Sequence, residues 1–532
     1  MAMPRNRNII YKWIIDWRYI IYSENIKYTA EMRVHMKLSE CLVNLDYECL
    51  KGNVDNVIND VVYDSRKANA DNAFICIVGA VTDGHKYISA ALDKGCKVFV
   101  VEKDMNDLPE LTDRDVTVIK VKDTRIALSY MSAAIFDYPA KKLKTVGITG
   151  TKGKTTTTFM VRTILEHHGL KVGIIGTTGV YMGNKFFEIH NTTPESYEIH
   201  KFFNMMVEEG CDVCVMEVSS QALKLNRTAG IEFDCGVFTN LSPDHIGENE
   251  HADYNEYVYC KSLLFKQCKH GIFNIDDKEA VNMMKEAVCD KHTYGFSENA
   301  DLHIDNIEYI VRPGFIGIGF DAHGVVNEHF EVNTPGKFSA YNAMSAIMVS
   351  EIFGVNSEDI KAGLLNTFVK GRVESVKISD RFTLLIDYAH NAMSMESLLT
   401  TIRAYNPKRI VSLFGCGGNR SKLRRYEMGE ISGKYADLSI ITADNSRFEN
   451  VLDIIEDIKV GINKTDGKYI VIPDRKEAIR YSIENAIDGD IVLLLGKGHE
   501  DYQEIEGVRY PFDERVIIKE ILEDLEKEGK KI

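Results

Sequence analysis

The stretch from 147 to 158 reads Gly-Ile-Thr-Gly-Thr-Lys-Gly-Lys-Thr-Thr-Thr-Thr and constrains the fold more than any other part of the chain. An apolar run over 143–148 predicts a strand before it, and a helical pattern over 156–167 predicts a helix after it. Gly150 and Gly153 permit a tight backbone that a Cβ would obstruct. Such a loop points backbone N–H groups inward, and the helix adds the positive end of its dipole. The stretch therefore predicts a phosphate-binding loop.

Within this loop, the Lys154 ammonium is expected to reach the β- and γ-phosphates of a nucleotide, and the Thr155 hydroxyl to contact Mg²⁺. The strict pattern has a glycine at 148, whereas this chain has Ile148 and a glycine one position earlier, Gly147. A chance glycine turn is the alternative, but the intact Gly-Lys-Thr favours nucleotide binding. The residues predicted to contact the nucleotide here are Thr149, Gly150, Thr151, Lys152, Gly153, Lys154 and Thr155.

Length and composition limit the class of protein. The 532 residues correspond to about three domains. A net charge of −15 disfavours a nucleic acid or an anionic membrane as partner, and no stretch is long and apolar enough to span a bilayer. The eleven cysteines show no metal-site spacing, and Cys211 and Cys214 lie by an apolar run that favours buried strand residues over a redox pair. Free cysteines suit a reducing cytosol, so we expect a cytoplasmic protein.

Residues 1–35 differ from the rest and hold both tryptophans, Trp13 and Trp17. Their apolar segment is interrupted by charges and fits neither a membrane span nor a signal peptide. We expect upstream translation with the true start at Met36, and an interfacial helix is the alternative. The remaining chain is predicted to form three α/β domains, whose ranges are 36–140, 141–370 and 371–532.

The first two domains carry candidate site residues in their loops. Polar turns over 64–66 and 79–85 are candidate ligand loops of the first domain, although turns favour such residues anyway. In the central domain an apolar strand ends at Glu217. A carboxylate at a strand end beside a phosphate-binding loop is placed to supply a second Mg²⁺ ligand. A helix is predicted over 253–268, and on pattern alone its Lys261 is an ordinary exposed lysine.

Farther along, residues 301–332 alternate in polarity and predict an antiparallel flap. The helical stretch 336–352 carries Asn342, a candidate adenine contact. His245 and His251, in the loop after the strand 236–239, fit ordinary loop histidines as well as any functional role.

The last third of the chain repeats one arrangement four times. Apolar strands are followed by polar, glycine-rich loops that begin near 387, 415, 444 and 496. In a doubly wound parallel sheet such loops share the carboxyl edge, where ligands bind. Arg420, Arg447 and Glu500 are then expected to converge on a zwitterion, since guanidinium groups suit carboxylates and a carboxylate suits an ammonium. Four merely solvated loops are the alternative.

In combination these motifs resemble the Mur ligase family from about Met36 to the C-terminus, and residues 148–157 are similar to its phosphate loop, including the missing first glycine. The resemblance implies a UDP-sugar-binding domain, a central ATPase domain and a Rossmann-like amino-acid domain. It also implies amide formation that depends on ATP and Mg²⁺. The substrate carboxylate becomes an acyl phosphate, because phosphorylation supplies the leaving group that a carboxylate lacks.

The resemblance further implies roles for individual residues. The pattern Tyr257-x-x-x-Lys261 resembles a carbamylated lysine site, which replaces the interpretation of Lys261 as an exposed lysine. The implied Mg²⁺ ligands are Thr155, Glu217, His245 and Lys261 as its carbamate (N6-carboxylysine), and the implied catalytic residues are Lys154, Glu217, His245 and Lys261. Asp387 and His390 lie in segments that the family uses around the nucleotide. The residues implied for the UDP-sugar peptide are Ser65, Ala80, Val81, Thr82, Asn191, Thr192, Thr193, Ser219 and Arg227.

For the acceptor amino acid, the sequence matches the pattern of members specific for meso-diaminopimelate, with UDP-MurNAc-L-Ala-D-Glu as the other substrate. Arg447 would clamp the distal carboxylate, which lysine lacks. Three departures from the family pattern, Ser446, Gln221 and Asn391-Ala392, leave room for a paralogue that uses L-lysine or another acceptor. The residues implied for the acceptor are Arg420, Asp444, Asn445, Ser446, Arg447, Gly496 and Glu500.

Rival functions remain at this point. Residues 463–466 read Asn-Lys-Thr-Asp, as in a regulatory GTPase, but they lie in the third domain, far along the chain from the phosphate loop. A non-catalytic binder of cell-wall precursors is disfavoured by the intact Lys154, Thr155, Glu217 and Lys261. Folylpolyglutamate synthase shares the ATPase logic but gives Arg420 and Arg447 no purpose. We expect a monomeric enzyme.

Overall fold

The computed structural model of the chain describes residues 35–79, 82–243, 246–247, 250–312, 314–530 and 532. They fall into two compact units. The first holds the described residues up to Thr158 and those from His168 to Thr293, and the second holds Phe159–His167 and Tyr294–Ile532. The predicted extension 1–35 lies, except for its last residue, outside the described residues.

The first unit begins with a five-stranded sheet whose order is Tyr47–Lys51, Thr117–Val121, Val98–Val101, Asn72–Ile75, Asp60–Val62. The first of these strands is antiparallel to its neighbour and the other four are parallel. Short strands Met36–Lys37 and Val57–Ile58 pair separately. The helices here are Leu38–Cys41, Ile88–Leu92, Pro109–Thr112 and Thr124–Ile135.

A second sheet of this unit surrounds the phosphate loop. Its strands run in the order Lys185–Phe187, Gly179–Met182, Val172–Gly176, Val213–Glu217, Lys144–Thr149, Phe233–Phe238, Cys268–Asn274. The central strands are parallel and buried, as expected for a sheet covered on both faces. The associated helices are Lys154–His167, Ser196–Glu208, Ser220–Lys224, Tyr254–Ser262 and Ala280–Lys285, and the strand Asp290–Gly295 follows them.

The second unit begins with three antiparallel strands, Leu302–Arg312, Phe315–Gly324 and Glu328–Val332, which confirm the predicted flap. Helices Lys337–Ile352 and Ser357–Asn366 follow. A six-stranded sheet then has the order Glu374–Val376, Thr383–Asp387, Asp490–Leu495, Arg409–Phe414, Leu438–Ile441, Tyr469–Val471. Its other elements are helices Ala392–Arg403, Lys422–Tyr435, Val451–Ile462, Arg475–Glu484 and Glu514–Lys527, and the hairpin Tyr502–Ile505 with Val508–Pro511.

Most predicted elements are found within a residue or two. The four strands of the last third are parallel neighbours, as predicted. The helix predicted over 253–268 is wrong at its end, because it stops at Ser262 and a 3₁₀ turn, Leu263–Lys266, leads into the strand Cys268–Asn274. That strand pairs with Phe233–Phe238 inside the sheet, and this burial outweighs local helix propensity.

Two other expectations concern cysteines and membranes. All eleven cysteines are free, and Cys211 and Cys214 are buried as predicted. Within the described part of the chain, no helix combines the length and the apolarity that a bilayer span needs.

Candidate active site

The predicted strand–loop–helix is found, with the loop at residues 150–153 between Lys144–Thr149 and a helix that starts at Lys154. Gly150 has φ +150° and Gly153 φ +87°. A Cβ on Gly150 would lie 2.0 Å from Thr239 Oγ1, so only glycine fits there. The loop is also tied down, since Thr239 Oγ1 donates to the Lys152 carbonyl at 2.7 Å. This close-packed, glycine-dependent turn before a helix N-terminus is the backbone arrangement expected of a phosphate-binding loop, and the binding itself stays a prediction.

Gly147, the displaced glycine of the motif, lies inside the entering strand rather than in the loop. A Cβ at this position would be 3.0 Å from Leu264 Cδ1 and 3.2 Å from the Phe233 ring. This glycine therefore serves core packing, and Gly150 and Gly153 alone shape the turn.

Two lysines converge on one carbonyl oxygen of the loop. Lys154 Nζ and Lys261 Nζ each donate to Gly150 O at 2.9 Å. Lys261 is buried, with its ammonium 4.6 Å from the centroid of the Tyr257 ring, so the interpretation of Lys261 as an exposed lysine is wrong. Because both groups bond the same atom, they lie no more than about 6 Å apart, where like charges repel.

Glu217 ends the neighbouring strand and has a buried carboxylate. Its Oε1 accepts hydrogen bonds from Thr155 Oγ1 at 2.9 Å and from Thr177 N at 3.1 Å, and its Oε2 accepts from Thr177 Oγ1 at 3.1 Å. The structure thus brings together the two predicted Mg²⁺ contacts Thr155 and Glu217. Oxygen ligands of this kind are those that Mg²⁺ prefers. No group of three or more His, Cys, Asp or Glu side chains arranged for a metal is found within the described part of the chain.

The predicted peptide-substrate residues lie next to Glu217. Thr193 Oγ1 donates to the Glu217 carbonyl at 2.9 Å and accepts from Ser219 N at 3.0 Å. Arg227 Nη1 donates to the Thr193 carbonyl at 2.9 Å. Thr192 Oγ1 lies 3.0 Å from Thr177 Oγ1, and Asn191 is exposed. The loop 191–193 is therefore held against the residues that surround the phosphate loop.

The residues predicted for the UDP-sugar are only partly visible. Ala80, Val81 and the predicted Mg²⁺ ligand His245 lie outside the described residues. Ser65 opens a 3₁₀ turn that is capped by the preceding aspartate, and Thr82 Oγ1 lies 3.2 Å from Tyr87 OH.

His251 is a residue whose environment the sequence did not reveal. It is fully buried, its Nε2 lies 2.8 Å from Ser220 Oγ, and its Nδ1 lies 3.6 Å from Glu256 Oε2. Its ring also packs against Tyr257, with 5.1 Å between the centroids. A loop histidine five residues before a predicted helical carboxylate gave no signal strong enough to indicate this buried position.

In the second unit, Arg420 and Arg447 both border the same glycine. A Cβ on Gly417 would lie 3.0 Å from Arg447 Nη1 and 3.7 Å from Arg420 Cγ. The Arg447 guanidinium donates to the Gly418 carbonyl at 2.8 Å and to Glu504 Oε2 at 3.2 Å. Its backbone has φ +51°, a left-handed conformation. The Arg447 guanidinium and the Arg420 side chain thus both lie beside Gly417, and their convergence with Glu500 on a ligand stays a prediction.

Lys497, which the sequence analysis did not select, organises the other residues predicted for the acceptor. These residues are Asp444, Asn445, Ser446 and Gly496. This lysine is fully buried. Its Nζ donates to Asn445 Oδ1 at 3.0 Å, Glu500 Oε2 at 3.3 Å and Asp444 Oδ1 at 3.4 Å. Ser446 is buried beside them, and a Cβ on Gly496 would lie 2.7 Å from Asp444 Oδ2.

The charges around Lys497 balance each other. Burial raises the pKa of the Asp444 carboxyl, but the Lys497 ammonium and the Arg475 guanidinium outweigh burial and bring that pKa below its usual range. Glu500, predicted to face an ammonium of the ligand, already accepts hydrogen bonds from Lys497 and from Asn445 Nδ2, the latter at 2.9 Å. The burial of Lys497 could not be predicted from hydrophobic periodicity, because a loop has none. The one sequence signal is the position of this lysine between two glycines at the end of a strand.

Three residues of this unit were predicted to lie near the nucleotide, namely Asp387, His390 and Asn342. Asp387 is buried and accepts from Val373 N and Ala389 N, both at 2.8 Å. Burial raises the pKa of its carboxyl above the usual range. His390 is exposed with Nδ1 2.9 Å from the Tyr388 carbonyl, and Asn342 is buried on its helix.

The stretch that resembles a guanine-binding motif, 463–466, ends the helix Val451–Ile462. Asn463 is the C-cap, and Thr465 Oγ1 donates to the Ile462 carbonyl at 2.7 Å. These residues form a helix-terminating turn, so the motif has a structural explanation that needs no nucleotide.

Comparison with known families gives three matches along the chain. The model described as "Mur ligase family, catalytic domain" matches residues 57–135. "Mur ligase middle domain" matches 148–350, and "Mur ligase, glutamate ligase domain" matches 371–498. Together these matches cover more than half of the chain.

Comparison with individual proteins agrees. "UDP-N-acetylmuramoyl-L-alanyl-D-glutamate--2,6-diaminopimelate ligase 1" of Clostridium acetobutylicum is 42% identical over 494 residues, 92% of this chain and 100% of the relative. "UDP-N-acetylmuramoyl-L-alanyl-D-glutamate--2,6-diaminopimelate ligase" of Clostridium botulinum is 41% identical over 494 residues, which again are 92% of this chain and 100% of the relative. A solved structure of a ligase with this name has a TM-score of 0.71 at 24% identity and covers 92% of this chain and 99% of its own. The match confirms the predicted three-domain α/β fold, and the boundary residues stay predictions.

A buried arginine ties together the two loops that carry Arg420 and Arg447, and this predicts a pH-dependent effect. Arg425 binds Glu449 and Asp457, and the Glu449 carboxylate also accepts from Asn419 N. The hydrogen bond from Arg425 lowers the pKa of Glu449 to about 2. Its stabilising contribution is therefore complete above the unfolded value near 4.5 and is lost as the pH falls toward 2.

We expect Glu449→Gln to lower the free energy of unfolding clearly at pH 7 and much less at pH 3, measured by urea denaturation followed by circular dichroism. Glu427→Gln, on the exposed face of the same helix as Arg425, is the control and should change little at either pH. An equal effect of Glu449→Gln at both pH values would contradict the assigned ion pair.

Proposed function

Because the chain belongs to the Mur ligase family, we propose that it joins meso-diaminopimelate to UDP-MurNAc-L-Ala-D-Glu at the expense of ATP, as a step of peptidoglycan precursor synthesis. The observation that carries the proposal is the similarity to relatives named for this reaction over their whole length. The site geometry supports it, since the phosphate loop, the buried Glu217 and Lys261 lie together in one unit. Eleven free cysteines fit a reducing cytoplasm, where we propose that the enzyme acts as a monomer.

The first half of the reaction needs charge neutralisation around the γ-phosphoryl group of ATP. In our proposal Lys154 moves from the Gly150 carbonyl to the phosphates, and the loop N–H groups bind the phosphate oxygens. Thr155 and Glu217 would hold Mg²⁺, which neutralises phosphate charge when bound. The substrate carboxylate attacks the γ-phosphorus, and the bond between that phosphorus and the β-phosphate oxygen breaks. ADP is the leaving group, and the substrate becomes an acyl phosphate.

Carbamylation of Lys261 suits its surroundings. Its ammonium is buried and shares the Gly150 carbonyl with Lys154, and two cations so close repel one another. The ammonium first loses a proton, the free amine then adds to the carbon of CO₂, and loss of a second proton leaves a carbamate anion at Lys261, which relieves that repulsion and supplies a further oxygen ligand. This gives the buried position a chemical purpose that a plain lysine lacks.

The peptide substrate is proposed to lie along Thr192, Thr193, Ser219 and Arg227. The Arg227 Nε is buried and has no hydrogen-bond partner among the residues that the structure describes, which is costly for a guanidinium, and we assign its partner to an acceptor oxygen on the substrate. Arg227 would then orient an anionic part of the peptide while its Nη1 keeps the Thr193 loop in place.

For the second half, the acceptor amine attacks the acyl carbon, a tetrahedral intermediate forms, and inorganic phosphate leaves. We propose that Arg420 and Arg447, which border Gly417, bind the distal carboxylate of the acceptor. Lys497 fixes Asn445 and Glu500, so that the loops after Leu438–Ile441 and Asp490–Leu495, the two strands that flank Arg409–Phe414, are tied to one another.

The experiment that tests the proposal is phosphate release with UDP-MurNAc-L-Ala-D-Glu, ATP and Mg²⁺, with meso-diaminopimelate, L-lysine or L-ornithine as acceptor. We expect release with diaminopimelate alone, because only its distal carboxylate engages the two arginines. Release with lysine or ornithine would retain a ligase and reject the proposed acceptor. No release with any acceptor, with GTP as well as ATP, would reject the proposed reaction.

The acceptor site makes a further prediction. Arg447→Ala should raise the KM for diaminopimelate by roughly tenfold to a hundredfold, as expected for loss of a charged hydrogen-bond partner, with the KM for ATP little changed. Steady-state kinetics with each substrate varied in turn measures both constants. Arg509→Ala, an exposed arginine stacked on Tyr502 in the nearby hairpin, is the matched control. A defect confined to ATP would place Arg447 elsewhere in the mechanism.

The carbamate hypothesis makes a separate prediction. Lys261→Ala should lose turnover, and a small carboxylate such as acetate or formate should restore part of it by supplying the missing anionic oxygen. Lys266→Ala, an exposed lysine on the same segment, should retain wild-type turnover. Full activity of Lys261→Ala without any added carboxylate would remove carbamylation from the mechanism.

A further inference from the structure

One carboxylate in the first unit bridges two guanidinium groups that come from distant parts of the chain. Glu195 Oε1 lies 2.7 Å from Arg227 Nη2, and Glu195 Oε2 lies 3.2 Å from Arg125 Nη1. The three side chains are 13–19% exposed. We call Arg125, Glu195 and Arg227 the Glu195 bridge. A mostly buried ion triad contributes little net stability compared with apolar packing, so its presence calls for a positional explanation.

One end of the bridge reaches the candidate UDP-sugar loop. Arg125 Nε donates to the Val78 carbonyl at 3.2 Å. The next residue, Gly79, donates its N–H to the Thr82 carbonyl at 2.9 Å, which closes the turn at whose end Thr82 lies. Arg125 therefore fixes the entry to the loop from outside.

The other end reaches the candidate reaction centre. Arg227 Nη1 donates to the Thr193 carbonyl, Thr193 Oγ1 donates to the Glu217 carbonyl, and the Glu217 carboxylate accepts from Thr155. Each of these three hydrogen bonds is 2.9 Å long. The Glu195 bridge is thus the middle of a continuous polar chain from Val78 to the start of the phosphate-loop helix.

The two arginines are mounted rigidly relative to one another. Arg125 lies in the first turn of the helix Thr124–Ile135, whose N-cap Asp123 accepts from Arg125 N and, through its other oxygen, from Asn226 Nδ2 at 2.9 Å. Ser129 Oγ of the same helix donates to the Ala229 carbonyl at 2.6 Å. Hydrogen bonds on both sides of Arg227 therefore hold its loop against the helix that carries Arg125.

From these contacts we propose that Arg125 and Glu195 are positioning residues that keep the UDP-sugar loop in register with the phosphate loop. The proposal rests on the proposed function, in which one long substrate is bound at its UDP end and phosphorylated at its peptide end. A carboxylate displaced by about 1 Å loses much of its reactivity toward the phosphorus, so the spacing between the two ends governs the rate. Within the Glu195 bridge, Arg227 faces the substrate, whereas Arg125 and Glu195 set the spacing through Arg227 and Val78 without contacting the reacting atoms.

The first test needs no turnover. Hydrogen–deuterium exchange of the free protein is compared for wild type, Glu195→Gln and Tyr197→Phe. We expect Glu195→Gln to speed exchange in both the peptide containing Val78 and Thr82 and the peptide containing Thr193. Tyr197 lies two residues after Glu195, and Tyr197→Phe removes its hydrogen bond to Asp60. This control variant should not speed exchange in either peptide. Unchanged exchange in the Val78 peptide of Glu195→Gln would overturn the proposal, whatever reaction the enzyme catalyses.

The second test uses kinetics. Arg125→Ala and Glu195→Gln should each lower kcat/KM for UDP-MurNAc-L-Ala-D-Glu by about tenfold to a hundredfold, with the KM for ATP within about twofold of wild type. The double variant should be no worse than either single variant, because both remove the same link. Additive losses, or a KM for ATP that rises in parallel, would indicate general loosening and would reject the positioning role.

The two tests separate the claims. Inactive wild type with altered exchange in Glu195→Gln would reject the proposed reaction and retain the mechanical link. Active wild type with normal kinetics in both variants would retain the reaction and reject the link. Arg125→Lys, which keeps the charge but lacks the second donor arm, should recover less than half of the lost kcat/KM, since Arg125 bonds Glu195 and Val78 through different nitrogens.

Discussion

The buried carboxylate of Glu217 is the interaction on which the first unit's site depends. It ends a strand that pairs with the strand leading into the phosphate loop, so backbone pairing fixes its distance from that loop. Its oxygens accept three hydrogen bonds, and its own carbonyl accepts a fourth from Thr193. A charge buried in this way is costly unless its hydrogen bonds are satisfied, so the surrounding threonines must stay in place. The strand pairing therefore fixes the Glu217 carboxylate, and the hydrogen bonds of Glu217 in turn hold Thr155, Thr177 and Thr193 in place.

Much of this arrangement follows from the sequence, because its signals are local. Gly150, Gly153 and Lys154 define a turn whose geometry depends on few neighbours, and four apolar strands followed by polar loops define the edge of a parallel sheet. The family resemblance, now supported by matches along the chain, added roles that no local pattern supplies, such as that proposed for Lys261.

The parts that the sequence did not reveal depend on contacts between distant residues. Lys497 is buried because three oxygens from two loops converge on it, and a lysine in a polar loop carries no sign of that environment. The Glu195 bridge likewise joins residues about 70 and 30 positions apart in the chain. The helix predicted to end at 268 stops early for the same reason, since pairing with Phe233–Phe238 decides where the next strand begins.

The left-handed backbone of Arg447 has an energetic consequence for the fold. A non-glycine residue in the left-handed region costs about 1–2 kcal/mol, and glycine would adopt φ +51° without that cost. Two backbone hydrogen bonds with the hairpin segment 504–506 keep the residue there. Replacing Arg447 by glycine would remove this backbone cost and, with it, the guanidinium that donates to the Gly418 carbonyl and to Glu504. The backbone conformation and the side-chain hydrogen bonds of Arg447 therefore act in opposite directions on the free energy of unfolding.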